Sequence, residues 1–161
     1  MTLQNDTVVL ERITPALARR ILVRDERPDD AWHAEYPLAD ELDPLRTLAG
    51  SSSPDPDFTM YVVRRAVDGV AVGGLGFSGP PDSEGRVEFG YGLVAAARGA
   101  GIATAAVGLA LAHAARRGAR TAVADTEAAN TASRRVLEKN GFTETGRRGT
   151  LVVLERQLSA D

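Results

Sequence analysis

Arg98-Gly99-Ala100-Gly101-Ile102-Ala103-Thr104 is a glycine-rich turn that follows an extended apolar segment and runs straight into an alanine-rich helix. The first N–H groups of a helix have no partner inside it, and the aligned peptide dipoles place partial positive charge there. A diphosphate fits that position. Gly99 and Gly101 lack a Cβ, so the backbone can bend and approach a bulky anion, while Arg98 adds a fixed charge with a fork of donors. The plainer alternative is a loop whose glycines only turn the chain.

Upstream of this turn lies Val87-Glu88-Phe89-Gly90-Tyr91-Gly92-Leu93. A period of two puts Val87, Phe89, Tyr91 and Leu93 on one face of a strand and Glu88, Gly90 and Gly92 on the other. The first face is apolar. The second is a carboxylate beside bare backbone, a trough against which a ligand or another chain can lie. Glu88 qualifies as a general base, because an amine nucleophile must lose a proton before it attacks. Its alternative is a solvated carboxylate paired with Arg86 or a neighbouring strand. Downstream, Asn130-Thr131-Ala132-Ser133 opens the last long helix with Asn130 as N-cap. Ser133, Val136, Leu137 and Asn140 share one helical face, so Ser133 is the polar group at the end of an apolar stripe. It is placed either to donate to a leaving group or to bond its own backbone.

The remaining segments supply a sheet and its covering helices. Val8–Ile13 reads as an edge-like strand, and Thr14-Pro15 starts a helix that continues from Ala16 to Arg24. A further helix is expected around Leu38–Ala49, and the Ser51–Asp57 segment is a loop. Asp68-Gly69 joins Phe58–Arg65 to Val70–Phe77 as a hairpin, and Pro80–Gly85 turns into Arg86–Val94. The alanine-rich helix runs from Ala100 to Arg117, Thr121–Asp125 is a short strand, Asn130–Asn140 is helical, and Phe142–Arg147 pairs with Thr150–Gln157. The pattern is an α/β or α+β fold in which helices cover a sheet. His113 near the end of the buried helix reads as structural. Trp32, His33 and Tyr36 lie in a proline-punctuated segment and are candidates to line a substrate pocket, although aromatic residues most often pack. Asp40, Glu41 and Asp43 form an acidic cluster that favours a cationic substrate if it borders the site, and is otherwise a solvated helix face.

With 161 residues, 43% hydrophobic and 25% charged, the chain has the size and composition of one globular domain. A net charge of -3 argues against a nucleic-acid partner bound through a broad basic surface. The absence of cysteine, with only two histidines, makes a metal site unexpected. The N-terminal residues lack a signal-peptide pattern and no apolar run is long enough to span a bilayer, so no membrane partner and a cytoplasmic location are expected.

Assembled, Arg98-x-x-Gly101-x-Ala103, then a buried helix, a strand, Asn130-x-x-Ser133 and Glu138-Lys139-Asn140-Gly141-Phe142 resemble the GNAT superfamily of acyl-CoA-dependent N-acetyltransferases, in particular its RimJ/RimL-like branch. The resemblance is good from about Asp68 to Arg147. It implies a GNAT-like mixed, mostly antiparallel sheet of about seven strands flanked by about four helices. The implied domain fills residues 1–161, with variable substrate-side helices and loop at 14–57 and an acyl-CoA-binding core at 68–147. By the same resemblance, Arg98, Gly99, Ala100, Gly101, Ile102, Ala103 and Thr104 hold the diphosphate of acetyl-CoA, and the backbone of Leu93 and Val94 meets the pantetheine arm. Asn130 contacts the same arm, Glu88 supplies the base, and Ser133 is the proton donor to the departing thiolate. Many members carry an acid tyrosine seven residues after this asparagine, where this chain has Leu137. The acceptor is an amine, on a small molecule or a protein N-terminus, and the oligomeric state, a homodimer included, stays open. Two other readings compete. One is a non-catalytic acyl-CoA-binding or sensor domain, against which Glu88 and Ser133 both speak. The other takes Gly99-x-Gly101-x-x-Thr104 for a dinucleotide fingerprint, against which the preceding antiparallel strands speak.

Overall fold

In the computed structural model, which describes residues 2–159, the chain runs through β1 (Thr2–Gln4), β2 (Val8–Arg12), α1 (Pro15–Leu22), α2 (Leu42–Ala49), β3 (Met60–Arg65), β4 (Ala71–Phe77), β5 (Arg86–Leu93), α3 (Ile102–Arg116), β6 (Thr121–Glu127), α4 (Thr131–Lys139), β7 (Thr143–Arg148) and β8 (Leu151–Gln157). Local chemistry sets most of these boundaries. The Thr14 hydroxyl accepts the Leu17 N–H at 3.1 Å and Pro15 occupies the first turn of α1. Asp68 caps the β3–β4 hairpin by accepting the Val70 N–H at 3.1 Å, beside Gly69 at φ +73°. Asn130 caps α4 by accepting the Ser133 N–H at 3.1 Å.

All strands join one eight-stranded sheet in the order β1-β2-β3-β4-β5-β6-β8-β7. Every pairing is antiparallel except that of β5 with β6, which are joined through α3 and run parallel. The sheet therefore has one strand more than expected. The extra strand, β1, pairs Thr2 with Glu11 and displaces β2 from the edge. Three mostly exposed residues carry no alternation that a sequence pattern can register.

The parallel contact is brief. β5 and β6 pair only at Arg86↔Thr121, Val87↔Ala122 and Glu88↔Val123. Past Glu88, β5 stays on β4 up to Leu93, while β6 stays on β8 up to Glu127. The sheet opens between them. On one face α3 and α4 cover the larger core, where Phe89 packs against Phe142 with ring centroids 5.8 Å apart. On the other face α1 and α2 cover a smaller core with Ile13, Ile21, Leu45 and Val62. Leu137 is fully buried in the larger core. Leu137→Ala is expected to lower unfolding free energy by about 2–5 kcal/mol in urea titrations, through lost burial and the cavity left behind.

Candidate active site

The glycine turn leaves the start of α3 open. Gly99 and Gly101 adopt φ +83° and +78°, and a Cβ added at either would meet nothing within 4 Å. Gly101 is the N-cap of α3 with no side-chain cap, and the first helical bond runs from the Ala105 N–H to the Gly101 carbonyl at 3.0 Å. The N–H groups of Ile102, Ala103 and Thr104 therefore project from the open end of the helix. Residues 98–101 are exposed. Arg98 differs slightly from expectation, because its own N–H donates to Ala95 at 3.2 Å and its Nε donates to the Leu93 carbonyl at 3.3 Å. It contributes its guanidinium rather than its amide. Asn140 braces this end of α3 by donating from Nδ2 to the Thr104 carbonyl at 3.2 Å.

The open side of β5 follows from its register. In an antiparallel pair, alternate residues turn their backbone groups toward the partner. Ser78 donates to Glu88 and Val94 donates to Val72 at 2.8 Å, so Glu88, Gly90, Gly92 and Val94 face β4. Tyr91 and Leu93 face the gap where β6 has left. Val94, expected from the sequence to turn its backbone to a ligand, instead donates its N–H to β4, and Tyr91 faces the gap beside Leu93. At the same gap, the Tyr91 hydroxyl lies 3.0 Å from Ser133 Oγ and donates to the Ser133 carbonyl at 3.1 Å. Burial raises the Tyr91 phenol above its ordinary range, with the Ser133 contact working weakly the other way, so it remains a proton-bearing donor at neutral pH. Asn130 uses its side-chain oxygen for the helix cap, so that its amide NH2 is not what holds the cap.

Beside β5, on the α1/α2 face, is a cavity of about 620 Å³. Its floor is built on glycines, since Gly74 pairs with Gly92 and Gly76 with Gly90 across β4 and β5; Glu41 packs over Gly74 and Leu38 over Gly92, while Gly90 stays open. Asp40 and Glu41 are the charged residues among those lining it. Glu41 stands just before α2 and is 9% exposed. Its Oε2 accepts the Leu38 N–H at 2.9 Å, and its buried Oε1 has no partner. A Cβ at Gly74 would lie 1.8 Å from that oxygen, so the bare strand is what admits the carboxylate. Burial, with the charge of Asp40 adding to it, pushes the Glu41 carboxyl up to about 7.

Glu88 is elsewhere. It is about half exposed and held by Arg148, whose Nη2 lies 2.8 Å from Oε1 and whose Nη1 lies 3.4 Å from Oε2. Arg148 also lies 3.6 Å from Asp125. Glu88 does not line the cavity. The three aromatic-segment candidates are also outside it. Trp32 and Tyr36 are buried in the smaller core, where their area is best spent on packing, with the Arg20 guanidinium 5.8 Å over the indole. His33 Nδ1 accepts the Glu35 N–H at 3.0 Å in a local turn. His113 pairs through Nε2 with Asp57 at 2.8 Å, tying α3 to the loop before β3. Among the described residues no helix is long and apolar enough to cross a membrane, and no cluster of His, Asp and Glu is arranged to hold a metal.

Among solved structures, the fold is similar to RimL, the ribosomal L7/L12 alpha-N-protein acetyltransferase, in complex with coenzyme A. That match has a TM-score of 0.70 at 20% identity over 100% of both chains. It is similar to the ribosomal-protein-S5-alanine acetyltransferase from Vibrio fischeri, with a TM-score of 0.69 at 15% identity over 98% of this chain and 97% of that one. A GNAT-family acetyltransferase from Bordetella pertussis gives a TM-score of 0.66 at 25% identity over 97% and 99% of the two chains. No curated protein matches the sequence. The sequence itself matches the acetyltransferase (GNAT) domain over residues 8–143. With the family's glycine turn opening α3 beside a parted β5 and β6, and a domain match across most of its length, the chain belongs to the GNAT acetyltransferases.

Proposed function

We propose that the protein moves an acetyl group from acetyl-CoA to a primary amine, on a protein N-terminus or a small molecule, by direct attack with both substrates bound. The observation that carries this reading is the parting of β5 and β6 past Glu88, with outward amides at the start of α3 on one side and the glycine-floored cavity on the other. The N–H groups of Gly99 to Thr104 and the Arg98 guanidinium suit the diphosphate. The gap-facing backbone of Tyr91 and Leu93, with the Asn130 amide, suits the pantetheine arm. When bound, acetyl-CoA supplies a thioester whose carbonyl carbon is already activated. The protein's task is then to hold the amine against it, carry off a proton and protonate the sulfur. A protein N-terminus is favoured by the two fold neighbours named for acetylating ribosomal proteins.

In this account the Tyr91–Ser133 hydroxyl pair protonates the departing sulfur, filling the role for which Leu137 is unsuited. Tyr91→Phe is expected to lower kcat by about 100-fold, the lower end of the range for loss of one positioned proton donor, with acetyl-CoA affinity unchanged in calorimetry. Glu88 fastens β5 to the β7–β8 hairpin through Arg148 instead of serving as the base. The reaction class is tested by calorimetric titration with acetyl-CoA and with NAD, followed by thiol-release assays on an amine panel. Binding of acetyl-CoA and amine-dependent thiol release are expected. Binding of NAD alone would contradict the proposal.

A further inference from the structure

We propose that Glu41 is the group that receives the acceptor's ammonium and removes its proton, and that the acceptor carries no carboxylate next to its amine; the inference rests on the acetyltransfer reading above. The geometry comes from three separate parts of the chain. The segment before α2 brings the carboxylate and lays Leu38 over Gly92, β4 leaves room for the carboxylate at Gly74, and β5 leaves open space at Gly90. A nine-tenths buried carboxylate oxygen without a partner is costly to keep, since removal from water is not repaid by any hydrogen bond or cation of the protein. An ammonium entering the cavity supplies both. The lining offers no competing Lys, Arg or His.

The charged and titratable groups around Glu41 agree with a cationic guest. Asp40 adjoins it in the chain and also lines the cavity, while Tyr36, held un-ionised by burial and by the charge of Glu41, contributes none at neutral pH. Facing Glu41 from β4 is Gly74, with Gly92 paired beside it on β5. An α-amino acid would set its own carboxylate beside Asp40 and Glu41 and is disfavoured, whereas a peptide N-terminus or an alkylamine brings positive charge alone.

The proton and electron balance is complete. One ammonium N–H bond breaks and its proton passes to the Glu41 carboxylate. The nitrogen lone pair then forms the C–N bond at the acetyl carbon, and the C–S bond breaks with its electron pair leaving on sulfur. The nitrogen sheds its second proton to solvent, while the sulfur takes one from the Tyr91–Ser133 pair, which is refilled from solvent. Glu41 releases its proton afterwards. The products are the acetylated amine, the free thiol and one proton. Glu41 and the Tyr91 hydroxyl act from opposite faces of β5, one on the amine and the other on the sulfur.

The test uses the full chain with saturating acetyl-CoA and two small acceptors, alaninamide and alanine. Alaninamide is expected to exceed alanine in kcat/KM by about 50-fold or more, and its kcat/KM should rise with pH through about 7, where Glu41 loses its proton. Glu41→Gln should lower kcat/KM for alaninamide by about 100-fold and abolish that limb, with acetyl-CoA affinity within about threefold of wild type. Preference for alanine, or a Glu41→Gln enzyme that keeps both rate and pH limb, overturns the inference while leaving acetyltransfer intact. Failure of the wild type to bind acetyl-CoA in the calorimeter overturns the acetyltransfer reading, and the inference with it. The wild-type acceptor ratio and pH profile decide the matter without a variant should Glu41→Gln not fold.

Discussion

Gly101→Val is expected to weaken acetyl-CoA binding by about 100-fold or more. Gly101 sits at φ +78° as the N-cap of α3, with open space where its side chain would stand. That space is where a diphosphate must approach the N–H groups of Ile102 to Thr104. A branched side chain there blocks the approach and pulls the backbone away from a conformation that costs an L-residue roughly 1–2 kcal/mol. Amide bonds to a charged phosphate are worth about 1.5–3 kcal/mol each, so losing even two accounts for the expected drop. The fold itself should survive, because the residue is exposed and nothing packs on it. The strain predicts a fall in Tm of about 2–8 °C. Calorimetry of acetyl-CoA binding, with thermal melts on the same samples, separates the two effects. Unchanged affinity would remove the turn from the CoA site.

The second large effect concerns stability and pH. In the folded protein the Glu41 carboxyl is pushed up to about 7 by burial, against an ordinary value of 4.5. The native state thus holds this proton more tightly than the unfolded chain. Its contribution to stability is fully present below about pH 4.5 and is lost as pH rises through about 7. The span corresponds to on the order of 3 kcal/mol. Glu41→Gln carries no such proton, so its stability relative to wild type should improve by that amount between pH 4.5 and 8, whatever constant cost the amide adds. Urea titrations of both proteins across this range provide the measurement. Parallel stability curves would mean that the carboxylate is not buried as described. Glu88→Gln is the contrasting case: half-exposed and paired with Arg148, it should change kcat/KM by less than about threefold.

Much of this was legible in the chain, and the parts that were not share a physical cause. The glycine turn, the Asp68-Gly69 hairpin and the Asn130 cap are local devices, in which neighbouring residues hold the information. The parting of β5 from β6 was not legible, since strand pairing is not written in either strand alone. Glu41 read as one member of an acidic cluster that either borders the site or forms a solvated helix face. Its burial arises because Gly74, remote in sequence, leaves a space for its carboxylate, and no spacing rule connects the two. The Tyr91–Ser133 contact is of the same kind, joining a strand and a helix distant in sequence. Tyr91 was assigned to the apolar face correctly, but its hydroxyl reaches through that face to α4. Trp32 and Tyr36 suggested a pocket because aromatics serve both purposes, and here packing against Ile21 and Leu45 claims them.

The central claim is that acetyl passes from acetyl-CoA directly to a primary amine at the opening between β5 and β6. Mass spectrometry of an incubation of the protein with acetyl-CoA and alaninamide tests it most directly. One acetyl group on the amine nitrogen, an equal amount of free thiol and no acetyl group on the protein are expected. Thiol release without acetylated amine, or acetyl bound to the protein, would contradict it.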